Sequence, residues 1–141
     1  MTGIRDHKDL EAWRVAMDLV LLVYSVSAEF PEAERYGLTA QMRRAAVSVP
    51  SNIAEGQARG VARACVNFLT VALASLSELD TQLQIALRLK FIPPCRGQEL
   101  DRLITSSRKL VAGLRRAKRM RLGVSVAGTV AVLFLGVQVC G

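Results

Sequence analysis

Between residues 61 and 90 the chain carries an apolar row that only a helix can align. Cys65, Leu69, Ala72, Leu76, Leu79, Leu83 and Ala86 recur at alternating steps of four and three. Those steps stay on one stripe of a helix, whereas a strand would scatter them over both faces. Phe68 and Ser75 widen the stripe, and Pro93-Pro94 stops the segment. A stripe this long must leave water. Its heptad-like period favours near-antiparallel packing against other helices, which the rest of the sequence must supply.

Three further segments have that character. Residues 8–29 put Leu10, Trp13, Met17, Val20 and Tyr24 on one stripe, with Asp6 or Asp9 as the cap. Phe30-Pro31 ends this first helix, because the residue before a proline is driven out of the α region. Residues 38–57 read as a second helix with Pro50 inside it. That proline removes one backbone donor and crowds the Ala46 carbonyl, so a kink or break is expected near Val49. Ser48, Ser51 and Asn52 surround the point and are suited to bond the freed backbone groups. Gly56 and Gly60 bracket the end of the segment. Residues 97–121 read as the fourth helix, with Leu100, Leu103, Leu110, Leu114 and Ala117 as its apolar face. Apolar residues make up 51% of the chain but aromatic ones only 5%, so Ala, Val and Leu must fill the core. The expected fold is all-α: an up-down-up-down antiparallel four-helix bundle over residues 1–121, kinked at Pro50 in the second helix.

Charge is distributed unevenly along this frame. Residues 1–95 hold ten Lys/Arg and ten Asp/Glu, while residues 96–141 hold nine Lys/Arg against Glu99 and Asp101. The whole net charge of +7 therefore belongs to the last helix. Arg102, Arg108, Lys109, Arg115, Arg116 and Arg119 fall within an arc of roughly 140°, away from the leucine face. Compensation of the helix dipole explains two or three cations near a C-terminus, not six along about five turns. Arginine outnumbers lysine, which suits fork-like contacts to phosphate. An RNA partner is expected, held through its phosphates, with no base-reading motif. On the second helix Arg43 and Arg44 are further candidates for phosphate contact. The motif around them, Ser48, Pro50, Ser51, Asn52 and Glu55, is read as structural, because an interior proline leaves groups that need partners. Ser48, Asn52 and Glu55 share one helical face, and Glu55 is also four residues before Arg59, a favourable ion-pair spacing.

Catalysis finds no foothold in the sequence. His7 is the only histidine and lies in an N-terminal segment expected to fray. No Ser-His-Asp, Cys-His or metal set assembles around it, and no phosphate-binding or dinucleotide loop is present. Glu55, Glu78 and Asp80 are read as structural carboxylates rather than an acid–base pair. No catalytic residue, cofactor, metal or small-molecule substrate is expected. Cys65, Cys95 and Cys140 are odd in number and widely spaced, so no disulfide framework is written. With no apolar leader in Met1 to Asp9, the expected location is the cytoplasm.

The run Gln41-Met42-Arg43-Arg44-Ala45-Ala46-Val47-Ser48-Val49-Pro50-Ser51-Asn52-Ile53-Ala54-Glu55-Gly56 resembles the signature of the four-helix-bundle proteins encoded in intervening sequences of bacterial large-subunit ribosomal RNA. Asp9-Leu10-Glu11-Ala12-Trp13, Tyr24 with Phe30-Pro31, and Ser75 to Leu83 agree with it in order and spacing. The resemblance covers residues 5–120. It implies a four-helix bundle, assembled as a ring-like homo-oligomer with a basic surface. Distant relatives are similar to the accessory protein of diversity-generating retroelements, a pentamer that binds nucleic acid and a reverse transcriptase. Two departures are mild: Ala74 stands where the family usually has glycine, and Asp80 where it usually has glutamate.

Residues 122–141 match nothing in that family. They carry no charge and follow Arg115-Arg116-Ala117-Lys118-Arg119-Met120-Arg121. By length and flanking charge they pass for a membrane span whose N-terminal side is cytoplasmic. Gly123, Ser125, Gly128, Thr129, Gly136 and Gln138 dilute the hydrophobicity, and the alternation from Val124 to Val132 also fits a strand. An extension foreign to the family is the third reading. Two alternatives to RNA binding thus stand: a membrane-tethered bundle, and an assembly factor for a protein such as a reverse transcriptase or further copies of the chain.

Overall fold

The computed structural model describes the backbone of residues 6–138 and the side chains of residues 6–123. A 3-10 turn at His7–Asp9 leads into α1 (Glu11–Ser27), and another at Glu32–Glu34 leads into α2 (Leu38–Arg59). Helix α3 (Ala62–Arg88) and helix α4 (Pro94–Gln138) follow. Helix α1 packs on α2, α2 on α3, α3 on α4, and α4 back on α1. Chain neighbours are therefore spatial neighbours, and α1 stands diagonally across from α3. With connections this short each helix reverses the direction of the last, which gives the expected all-α four-helix bundle.

The row on α3 is the core. Leu69, Ala72, Leu76, Leu79, Leu83 and Ala86 have no exposed surface, and Cys65 is 3% exposed. The faces of the two flanking rows differ from expectation. On α1 the buried residues are Ala12, Ala16, Leu19, Val23, Val26 and Ser27. Leu10, just before α1, is buried as expected, but Trp13 and Val20 pack along the core's edge and Tyr24 is exposed. On α4 the buried row is Leu100, Ile104, Ser107 and Val111; Leu103, Leu110 and Leu114 lie at the edge, and Ala117 is exposed. On α1 the cause is close packing of rods, which puts the small Ala12 and Ala16 on the line of nearest approach and the larger Trp13 at its edge. On α4 the buried row includes Leu100 and Ile104, so size does not separate it from the edge leucines.

Helix ends also differ in detail. Asp6 caps the His7–Asp9 turn, and Asp9 returns the bond to the Asp6 amide. Helix α1 then begins after Leu10, which occupies the cap position without a side-chain hydrogen bond. The start of α2 is capped from four residues upstream, where Leu38 N–H donates to Glu34 Oε2 at 3.0 Å. Helix α2 runs unbroken from Leu38 through Pro50 to Arg59, so of the expected kink or break the break does not occur. Helix α4 starts at Pro94 rather than residue 97, because proline is well suited to the first turn, where its missing donor is not needed. It then passes residue 121 and continues to Gln138, so Val124 to Val132 are helical and not a strand.

Two turns make the bundle tight. Gly60 sits at φ 68° and, with Val61, is the whole link between α2 and α3. After α3, Phe91 N–H donates to Ala86 O at 2.9 Å and Lys90 N–H to Leu87 O at 3.0 Å. This is the Schellman pattern, with Lys90 in the left-handed conformation at φ 60° where glycine is usual. A side chain costs about 1–2 kcal/mol there. Lys90→Gly is therefore expected to raise the urea midpoint, with a gain of about 1 kcal/mol. An unchanged or lower midpoint would show that the turn is not strained.

Candidate nucleic-acid interface

The twist of α4 divides its basic residues into two groups. Relative to the buried row Leu100–Val111, Arg108, Arg115 and Arg119 lie about 50–90° around the helix, and Arg102, Lys109 and Arg116 about 150–190°. The first group flanks α3. Arg108 Nη2 pairs with Asp80 Oδ2 at 3.4 Å, with both side chains more than a third exposed. Arg115 Nη1 donates to Thr70 Oγ1 at 3.3 Å, while that hydroxyl donates to Val66 O at 2.8 Å. The outward residues Arg102, Lys109, Arg116 and also Arg119 and Arg121 are exposed. Among the described residues none of these five has an ion-pair partner. The structure thus keeps Arg102, Lys109, Arg116 and Arg119 on an open surface and ties Arg108 and Arg115 to α3. Asp80 and Thr70 are the partners that the sequence did not reveal. Only the antiparallel register of α3 and α4 brings them alongside.

Lys118 and Arg121, not singled out in the sequence, border a cavity of about 340 Å³ with Leu10, Gln57, Leu114 and Ala117. An open groove of about 700 Å³ at the other end of α4 includes Gln84, Leu87, Gln98, Asp101 and Arg102. Among the described residues no cluster of three His, Cys, Asp or Glu side chains could hold a metal ion. His7 does not fray. Its Nδ1 is 2.9 Å from Asp6 Oδ1, and its ring meets Trp13 edge-on at 5.3 Å.

On α2, Arg43 and Arg44 separate. Arg44 is exposed. Arg43 donates from Nε to Ser27 Oγ at 2.9 Å and lies 4.5 Å from the Tyr24 ring centre, a cation–π contact between α2 and α1. The motif around Pro50 joins α2 to α3. Ser48 Oγ and Ser75 Oγ share a 2.8 Å hydrogen bond, and Asn52 Nδ2 donates to Ser48 O at 2.7 Å and Ser48 Oγ at 2.9 Å. Ser51 Oγ donates to Val47 O at 2.8 Å. The polar residues serve carbonyls one and two positions past Ala46, so neither bond reaches the carbonyl that Pro50 leaves without its donor. Glu55 stays outside this network and pairs with Arg59 at 3.5 Å. One turn on, Gly56 lets α2 lie against α3. A Cβ there would stand 3.2 Å from Phe68 Cβ and 3.4 Å from the Cys65 Cα.

A family model described as 23S rRNA-intervening sequence protein matches residues 8–113, which takes in all of α1 to α3 and the start of α4. The chain belongs to that family. A solved structure with the same fold is a protein of unknown function from the S23 ribosomal protein family of Bacteroides thetaiotaomicron. The two share 18% identity at a TM-score of 0.68, covering 74% of this chain and 95% of that one. No curated protein matches the sequence. The intervening-sequence family assignment covers the Pro50 motif, Arg43, Arg44, Arg102, Arg108 and Lys109. Arg115, Arg116 and Arg119 lie beyond the matched residues.

Two measurements check this description. Ser48→Ala or Ser75→Ala is expected to cost about 1 kcal/mol, because each leaves the other hydroxyl short of a partner. The double variant should lose less than the sum, and strict additivity would show that the two hydroxyls do not interact. The second concerns Cys65. Burial raises its pKa above the ordinary thiol value, with Lys118 acting weakly in the opposite sense. The folded thiol therefore holds its proton at pH values where the unfolded one ionises. Its contribution to stability is full below the ordinary value of 9.0 and is lost as pH rises through it toward the folded value. Cys65→Ala should flatten that alkaline loss. Peptide mapping after brief alkylation at mildly alkaline pH should find exposed Cys95 modified and buried Cys65 intact.

Proposed function

We propose that this member of the intervening-sequence family is a non-enzymatic bundle that self-associates in the cytoplasm and binds RNA through its phosphates. The observation that carries the reading is the outward row on α4. Arg102, Lys109 and Arg116 recur every seven residues, about 10 Å apart along the axis, and have no carboxylate partner among the described residues. Arg119 and Arg121 add exposed cations on the two flanks beyond the row, and Arg44 adds an exposed guanidinium on α2. Such a row neutralises phosphates and releases their counterions without reading sequence.

Self-association is supported by a different face. Trp13, Met17 and Val20 of α1 and Val47, Pro50 and Ala54 of α2 border an apolar groove of about 350 Å³. Leu21 and Tyr24 beside it are 65% and 44% exposed. Copies joined there would repeat the basic row and multiply weak phosphate contacts.

Binding of a labelled structured RNA at two salt concentrations tests the reading. Three to five phosphate contacts should lower affinity by about 1.5–3 decades between roughly 50 and 200 mM salt. Arg102→Gln, Lys109→Gln and Arg116→Gln should each reduce the salt slope by about one, equally for all RNA sequences. Arg108→Gln, whose side chain pairs with Asp80, should leave the slope nearly unchanged. Absent or salt-insensitive binding removes the proposal.

A further inference from the structure

Helix α4 is 45 residues long, against 27 for α3, its partner along the bundle. The difference lies at one end. Leu10, at the start of α1, and Gln57, in the last turn of α2, border the same cavity as Leu114 and Arg121. The bundle therefore closes at that level, and Arg119, Met120 and Arg121 are already exposed, Met120 by 67%. Past them α4 stays helical to Gln138.

What projects from the bundle is unlike any of its surfaces. From Leu122 to Gly141 the sequence has 20 residues and no charged one. In water an uncharged helix rich in Val and Leu is poorly solvated, and an isolated helix of this length is marginal. A hydrocarbon layer about 30 Å thick needs about 20 residues of helix, and there the backbone must be helical to satisfy its own polar groups. Glycine, serine and threonine are ordinary components of such helices. Immediately before the stretch, Arg115, Arg116, Lys118, Arg119 and Arg121 form a cationic collar. Seven basic residues lie between Arg108 and Arg121, immediately before the uncharged stretch. That cluster points the bundle side inward, because clustered Lys and Arg stay on the cytoplasmic side. Helix α3 is also long and apolar enough to span a bilayer by composition, but its apolar row is already consumed by the core.

We infer that the stretch of α4 from residue 122 to 138 crosses a lipid bilayer, with the bundle on the cytoplasmic face and the collar from Arg115 to Arg121 at the anionic headgroups. Lys118 and Arg121, at the rim of the cavity beside Leu10, then face phospholipid phosphates. The inference does not rest on RNA binding, and Arg102 and Lys109, above the collar, remain in water.

The test uses the full chain expressed in bacterial cells and purified membranes treated with nuclease, high salt and alkaline carbonate. The chain should stay with the membranes and float with vesicles of phosphatidylglycerol and phosphatidylcholine. The full chain bearing Val130→Arg with Leu133→Arg should lose flotation while keeping its helical circular dichroism. A membrane-impermeant maleimide applied to spheroplasts should modify Cys140 but reach Cys95 only after lysis. A chain that washes off, sinks as aggregate, floats equally well with both arginines, or shows Cys95 labelled and Cys140 protected overturns the inference. None of these outcomes depends on RNA, which the nuclease removes.

Discussion

Seven side chains on α3 must leave water, and one partner helix cannot cover them. A single neighbour would hide half of the stripe and leave large leucines in solvent, each at a cost of about 1.5–3 kcal/mol. Helices α2 and α4 cover it from two sides, and α1 closes the square from the diagonal. The connections allow little else. Two residues between α2 and α3 enforce a hairpin, and the Schellman turn at Lys90 returns the chain for α4. Where the rods approach most closely, the side chains are small: Gly56 against Cys65 and Phe68, and the alanines of α1 toward the core.

The same packing sorts the arginines. A helix laid against a neighbour has a buried line, two flanks and an outer face. The flank of α4 meets the flank of α3, so Arg108 and Arg115 find Asp80 and Thr70. The pair with Asp80 is open to water and contributes at most about 1 kcal/mol, which makes it a register mark more than a support. Among the described residues the cations of the outer face have no carboxylate partner. One helix thus carries tied and open cations of the same type, separated only by angle.

Much of this was legible in the sequence because helical periodicity is local. The α3 row needed only its spacing, and the intervening-sequence signature around Pro50 pointed to the family that the comparison over residues 8–113 supports. The faces of α1 and α4 were not legible. Trp13 and Tyr24 are far larger than Ala12 and Ala16, yet the geometry of contact is decided by the neighbour. Ser75 is the clearest case. In the sequence it only widens an apolar stripe; in the bundle it is 7% exposed and meets Ser48 across 27 positions of chain. Likewise the six cations formed one arc on paper, because the arc carries no information about where α3 lies. The continuation of α4 to Gln138 was equally hidden, since valine alternation fits a strand as well as a helix.

The brevity of the Gly60–Val61 link has a kinetic consequence. Contacts between α2 and α3 near that link join residues only a few positions apart, and every major interface except α1 with α4 joins consecutive helices. Little loop entropy is lost before such contacts form, so the topology belongs to the rapid folders, with the α2–α3 hairpin as the natural nucleus. Gly60 then acts on speed as well as on shape. A residue that resists the left-handed turn would delay the first contact from which the other two helices are gathered.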